Sequence, residues 1–322
     1  MSRQSSEGGK SKMILVSGEA LIDLIPVADE DGRYDAVRGG SPYNVAIGLA
    51  RLGAPTAFVS RLSADANGEA MDAALSADGV DLSLVERVKQ PTTLAFVMRG
   101  TAQTGSRYSF YLDATNFDGA WPFPKAWPAK ANHLHVGSIS AVDPRHGESV
   151  VAALAKAKGV LTTSFDPNIR PLVTPDRASV VALVERQVAL ASIAKASDED
   201  LEWLYPGRPI EETLKLWSTL GPRFCVATLG GRGAIAYIDG ERLSVEPAKV
   251  TVVDTVGAGD SFMSALLAAM DRDGALGASA RSPSRERLAA WLAFAAAASA
   301  FTCTRKGSDP PTRREMAALG FA

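Results

Sequence analysis

Cysteine is scarce. Only two occur in 322 residues, Cys225 and Cys303, each inside an apolar run. That pair excludes a disulfide scaffold and a zinc site, and fits reduced core thiols in a cytoplasm. Net charge is nearly absent too: 34 Lys and Arg stand against 36 Asp and Glu, a formal charge of −2, with no dense basic block. An electrostatic footprint for nucleic acid or an anionic membrane is therefore missing. The longest uncharged stretch, Leu288 to Cys303, is 16 residues rich in alanine, short of the roughly 20 strongly apolar residues of a membrane span. It is expected as a buried helix. No GxxxxGK[ST] loop and no GxGxxG fingerprint occurs, which removes the Walker-type phosphate loop and argues against a nicotinamide-dependent oxidoreductase. Internal repeats are absent as well.

What is present suffices for a large core: 46% of the residues are hydrophobic, an ordinary globular composition. The polar leader MSRQSSEGGKSK, residues 1–12, has no apolar segment of the signal-peptide kind and is expected to be disordered. After it, short β-branched runs (MILVSG, TAFVSRL, HLHVGSI, VLTTSFDP, FCVATLG, KVTVVDT) alternate with helical stretches near 42–52, 67–78, 145–158, 176–186 and 259–272. Such alternation predicts an α/β fold with a mainly parallel sheet covered on both faces, and ligands beyond the carboxyl ends of its strands. Two segments break the alternation. Residues 24–38 form a hairpin pattern around Asp31-Gly32, and residues 93–113 read as two strands joined by a Gly-containing turn. Together they predict a small separate sheet. The Trp- and Pro-rich stretch 114–131 is expected as an ordered loop crossing from it to the main body.

Residues 251–262, TVVDTVGAGDSF, carry the chemistry. A helix start preceded by small residues points several backbone N–H groups at one spot, and glycines let a phosphate approach them. An aspartate at that turn would repel the phosphate unless it had another task, such as taking a proton from an attacking hydroxyl. Gly257, Ala258 and Gly259 are thus candidates for holding negative charge and Asp260 for the general base. The local pattern fits a plain helix cap and tight turn equally well. A second glycine turn, Gly39-Gly40, opens another helix at SPYNVA and offers backbone to a polyhydroxylated ligand. Asn44 brings a donor and an acceptor there, either for a ligand or for the helix start itself.

The two turns together, GGxxxNxA at 39–46 and DTxGAGD at 254–260, resemble the ribokinase-like, or PfkB, carbohydrate kinases over Met13 to about Pro311. The resemblance implies a three-layer α/β/α sandwich spanning 13–322 with a β-sheet lid from 24–38 and 93–113. It implies a sugar kinase using ATP and Mg²⁺, with Asp260 as base, Gly257–Gly259 as anion hole, and sugar contacts from Asp23, Gly39, Gly40 and Asn44. Thr228, Gly230, Gly233 and Gly307 correspond to nucleotide positions. Arg170, in DPNIR, would neutralise phosphate charge while Asp166 and Asn168 organise water around the metal. Asp254 and Val256 would hold a monovalent cation such as K⁺. The NxxE motif is altered to Ser197-Asp198-Glu199-Asp200, leaving Asp200 as a water-mediated Mg²⁺ partner. Asn67, in Asp65-Ala66-Asn67-Gly68, also replaces a larger residue common in relatives, a difference with no evident reading. GEALIDL, PTTLAFV and RYSFYLD are most similar to the fructokinases, which implies fructose as substrate, with 2-keto-3-deoxygluconate, ribose or a nucleoside as alternatives. Phe96, Arg107 and Phe110 then become pocket candidates, and the lid's outer face a homodimer contact. A sugar-binding regulator without catalysis is the reading from another class.

Overall fold

The computed structural model describes residues 12–27, 30, 32–98, 107–174 and 176–321. The expected leader lies, Lys12 apart, outside the described residues, as does Asp31 of the hairpin. Nine strands make the main sheet: β1 (Met13–Ser17), β4 (Thr56–Ser63), β5 (Val85–Val88), β8 (Ala131–Gly137), β9 (Thr162–Asp166), β10 (Ile193–Ser197), β11 (Phe224–Thr228), β12 (Ala234–Ile238) and β13 (Glu241–Val245). Their order is β13-β12-β11-β10-β9-β8-β1-β4-β5. All neighbours from β5 to β11 run parallel, and the hairpin β12–β13 closes one edge antiparallel.

Strands buried on both sides need apolar side chains at every position, and β1 and β11 read accordingly as MILVS and FCVAT. On one face lie α1 (Ser41–Arg51), α2 (Ala66–Ala77), α8 (Ala258–Arg272), α9 (Arg285–Thr302) and α10 (Arg313–Ala318). On the other lie α3 (Ile139–Val142), α4 (Gly147–Ala157), α5 (Arg177–Leu190), α6 (Asp198–Leu204) and α7 (Ile210–Leu220). Each layer has its own apolar cluster, anchored by Trp291 on the first face and by Trp217 on the second. The Ala-rich helix is α9, packed along α8 as expected, and no helix among the described residues is long and apolar enough to cross a membrane.

The second sheet is made of β2 (Leu21–Pro26), β3 (Tyr34–Gly39), β6 (Leu94–Met98) and β7 (Arg107–Tyr111), in the order β3-β2-β6-β7. Its root is fixed by Asn116, whose side chain donates to the Arg61 carbonyl at 2.7 Å and accepts from the Thr93 amide at 2.8 Å. The crossing loop is ordered at that point, with Trp121 Nε1 donating to Ser17 Oγ at 2.9 Å.

Two expectations are corrected. KVTVVDT forms no strand: Val250, Val252 and Val253 are exposed, and the edge position is taken by β13. Cys303 is not a core thiol but the half-exposed residue that ends α9, whereas Cys225 is fully buried and its thiol pushed well up by that burial. The segment from Asp65 to Gly68 is a structural joint. Asp65 accepts from the Gly68 and Thr92 amides, a Cβ on Gly68 would strike the Ser63 carbonyl, and Asn67 stands exposed with no aromatic needed.

Candidate active site

Asp23 of the lid lies close to Arg170, beyond β9, and to Asp260, and the two glycine turns meet there. Gly257 ends the approach to α8 with φ 76°, a left-handed conformation that glycine adopts without strain. A Cβ on it would collide with Ser308, so the turn is also closed sterically by the C-terminal loop. The positive end of the α8 dipole lies at that turn, where the Ala258 amide donates to the Thr255 carbonyl at 3.2 Å.

Asp260, in that first turn, is buried. Its two oxygens are taken by the first turn of α1: Ser41 Oγ donates to Oδ1 at 2.6 Å and Asn44 Nδ2 to Oδ2 at 2.8 Å. Asn44 thus holds the candidate base in this structure, a role that its expected sugar contact does not include. Ser41 was not singled out from the sequence, although a serine one residue past Gly39-Gly40 sits where a helix-start side chain is within reach of a neighbouring turn.

Across the cleft, Asp23 projects from β2. A Cβ on Gly39 would collide with its carboxylate, and one on Gly40, where φ is 106°, would come within 2.6 Å of the Glu19 carbonyl. Both glycines are therefore required for the lid strand to lie against the helix start. Burial pushes Asp23 up to about 6, opposed by Arg170 and assisted by the nearby Asp260 and Glu19. Asp23 has no hydrogen-bond partner among the described residues, which leaves its oxygens available to a polyol. Arg170 is held by Asn168, donating to Asn168 Oδ1 at 2.7 Å, and Asn168 itself takes φ 40°.

Strand register sorts the lid residues. The row Val37–Asp23–Ala95–Phe110 runs across the sheet, so Phe110 shares the Asp23 face. Phe96 does not: it neighbours Leu24, and its ring meets Tyr34 at 5.4 Å and Tyr111 at 5.5 Å on the opposite, outer face. The expectation that Phe96 lines the sugar pocket is corrected by this period-2 alternation. Arg107 pairs with Met98, and its side chain lies outside the described residues.

Lys195 was missed by sequence reasoning. It points from β10 into the layer beneath α8, where an apolar strand position would be expected, and its Nζ donates to Asp166 Oδ2 at 2.7 Å with both side chains buried. A Cβ on Gly259 would stand 3.1 Å from Nζ, so the ammonium lies directly under the Gly257–Gly259 turn. Although burial opposes its charge, Asp166, Asp200 and Asp260 hold the Lys195 ammonium protonated. Burial pushes Asp166 up to about 6 in spite of Lys195. The signal was a lone lysine inside IAKAS, an isolated charge in a run that otherwise reads as buried strand.

No cluster of three or more His, Cys, Asp or Glu suited to a metal occurs among the described residues. That still fits Mg²⁺, which keeps most of its waters and is carried in part by nucleotide phosphates. An acceptor for such a water is Asp166 Oδ1, buried and without a hydrogen-bond partner among the described residues. Asp200 is otherwise employed: Oδ2 accepts from the Ser197 amide at 2.9 Å as part of a capping box, and Oδ1 accepts from the Ile169 amide at 2.7 Å. Its carboxylate therefore joins the DPNIR turn to α6. Asp254 joins another pair, accepting from Val256 N at 3.1 Å and Gly307 N at 2.8 Å. Thr228 and Gly230 stand at the end of β11, with Gly233 tucked against the Val245 carbonyl. Lys306, next to Gly307, reaches Asp35 of the lid at 3.4 Å.

Comparison with known proteins agrees with this fold. The profile of the pfkB family carbohydrate kinases matches residues 11–314. A fructokinase of Rhizobium leguminosarum bv. trifolii is 37% identical over 270 residues, covering 82% of this chain and 81% of that protein. Among solved structures, fructokinase of Vibrio cholerae O395 with fructose, ADP and calcium bound superposes with a TM-score of 0.82 at 28% identity, covering 96% of this chain and 98% of the other. Fructokinase of Xylella fastidiosa with bound ATP gives 0.85 at 26% identity, with coverage of 96% and 98%. A match of this extent, on a sheet, lid and glycine turns arranged as described, places the chain in the pfkB family of carbohydrate kinases.

Proposed function

We propose that this enzyme is a fructokinase, transferring the γ-phosphoryl group of ATP to the 6-hydroxyl of fructose to give fructose 6-phosphate and ADP. The observation that carries the mechanism is the Asp260 carboxylate, fixed by two hydrogen bonds at the N-terminus of α8. The sugar hydroxyl loses its proton to Asp260 as its oxygen forms a bond to the γ-phosphorus and the bond to the β,γ-bridging oxygen breaks. Backbone N–H groups of Gly257, Ala258 and Gly259 take the charge that develops, with Lys195 beneath them adding a fixed positive charge. Catalysis of this kind is chiefly positioning and charge stabilisation.

Asp23 and the Gly39-Gly40 backbone orient the sugar, while Phe110 on the same lid face closes over it and excludes water. Arg170 counters negative charge beside Asp23. Thr228, Gly230, Gly233 and Gly307 border the nucleotide, and Mg²⁺, when bound with ATP, screens the phosphate charge. Asp166 Oδ1 would receive one of its waters, with Asp200 holding the adjoining turn. The single acid Asp254, with the Val256 backbone, suits a monovalent cation such as K⁺. The outer lid face, with Tyr34, Phe96, Met98 and Tyr111 partly or largely exposed, suits a second copy of this chain, giving a homodimer. Free thiols and ATP dependence fit the cytoplasm.

The test is MgATP-dependent ADP release over fructose, 2-keto-3-deoxygluconate, ribose, glucose, tagatose and adenosine, with and without potassium, and the product identified by phosphorus NMR. Fructose 6-phosphate as the main product is expected. Turnover on another acceptor would keep the chemistry and refute the sugar, and no turnover on any would favour a sugar-binding regulator.

A further inference from the structure

We infer that Ser41 is a positioning residue for the catalytic base, fixing the Asp260 carboxylate so that its remaining acceptor lobes face the sugar hydroxyl. The inference rests on the proposed role of Asp260 and concerns how that group is held.

Ser41 and Asn44 are three residues apart at the start of α1, a spacing that puts both side chains on one helix face. Together they clamp the two oxygens of one carboxylate that is 219 and 216 positions away in sequence. Each partner gives up a local alternative. A serine at a helix start ordinarily turns back to its own backbone, yet the Ser41 hydroxyl donates across to Asp260. An aspartate in a first turn ordinarily serves its own helix N-terminus, yet Asp260 reaches across to Ser41 and Asn44 of α1. Pro42, buried directly after Ser41, fixes the backbone from which the hydroxyl projects. One oxygen held by Asn44 alone would leave the carboxylate free to rotate; the second donor removes that rotation. Each oxygen keeps a second lone pair for the incoming hydroxyl.

The experiment compares Ser41→Ala, Ser41→Thr, Asp260→Asn and the Ser41→Ala/Asp260→Asn pair, using MgATP and fructose. Ser41→Ala is expected to lower kcat about tenfold, with KM for both substrates within twofold. Ser41→Thr, which keeps the hydroxyl, is expected within threefold of the parent. The double variant is expected to be no slower than Asp260→Asn alone, because the hydroxyl acts only through that carboxylate. Wild-type kcat in Ser41→Ala would overturn the inference, as would a tenfold further loss in the double variant. Activity surviving in Asp260→Asn would instead refute the base itself, whereas its loss beside a normal Ser41→Ala would refute only the role of Ser41.

Discussion

The body and the lid offer the cleft carboxylates in opposite conditions. Asp260, on the body, has both oxygens occupied by donors from α1. Asp23, on the lid, is pressed against Gly39 with no hydrogen-bond partner among the described residues, and burial pushes it up to about 6. A group that must transfer a proton in one geometry is built on packed helices. A group that must recognise a ligand is left unsatisfied until the ligand arrives, at a cost in stability of the free enzyme. Kinetic constants should divide along the same line, with body substitutions acting on kcat or on folding and lid substitutions on sugar affinity or assembly.

The largest effect is expected at the buried pair beneath the glycine turn. Lys195→Met leaves Asp166 uncompensated and should cost about 3–5 kcal/mol of stability, read by denaturant unfolding. Lys195→Met combined with Asp166→Leu should recover most of that stability without recovering turnover. If the double variant unfolds as readily as the single one, the pair is not what holds this layer.

Next comes the anion hole. Gly257→Val puts a β-branched side chain at φ 76° and against Ser308, and should lower kcat by about 10²–10³. The Kd for fructose should stay within threefold, by calorimetry. Equal losses in kcat and in sugar binding would mean that the turn shapes the lid side as well.

Asp23 should produce a smaller, pH-dependent effect. Because its folded value is raised from 3.8 to about 6, the ionised carboxylate predominates only above that pH, and kcat/KM for fructose should fall as pH drops below about 6. For stability the sign is opposite: the favourable contribution is complete below 3.8 and lost as pH rises through 6. Asp23→Asn should therefore be about 1–3 kcal/mol more stable at pH 8, with no advantage at pH 3.5, while binding fructose more weakly. A destabilised Asp23→Asn at pH 8 would contradict the unsatisfied state of this group. The smallest effect on turnover is expected at the outer lid face, where Tyr111→Lys should weaken self-association at least tenfold by sedimentation yet leave kcat within twofold.

Much of this was legible in the sequence, and the exceptions have physical reasons. Helix starts at 41, 66, 177 and 258 follow from glycine turns or from capping aspartates such as Asp65 and Asp176. The lid was visible because two segments interrupt an otherwise regular strand–helix alternation. KVTVVDT misled because β-branched residues favour strands only where a pleated, half-buried surface awaits them, and here the valines face solvent. The facing of Phe96 was undecidable from alternation alone, since period two separates two faces without saying which one meets the ligand. Lys195 and Ser41 left only a local hint, a lone charge in a buried strand and a serine at a glycine turn, because each acquires its role from a partner brought close only by the fold: Asp166, 29 residues away, and Asp260, 219 residues away.

The most direct test of the chemistry is a single-turnover measurement of γ-phosphoryl transfer from MgATP to fructose by Asp260→Asn, with fructose binding measured on the same preparation. A rate lower by about 10³-fold with the fructose Kd within threefold of the parent is the result expected of a lost general base. Transfer within tenfold of the parent rate, at unchanged fructose affinity, would contradict the assignment of Asp260 as the base.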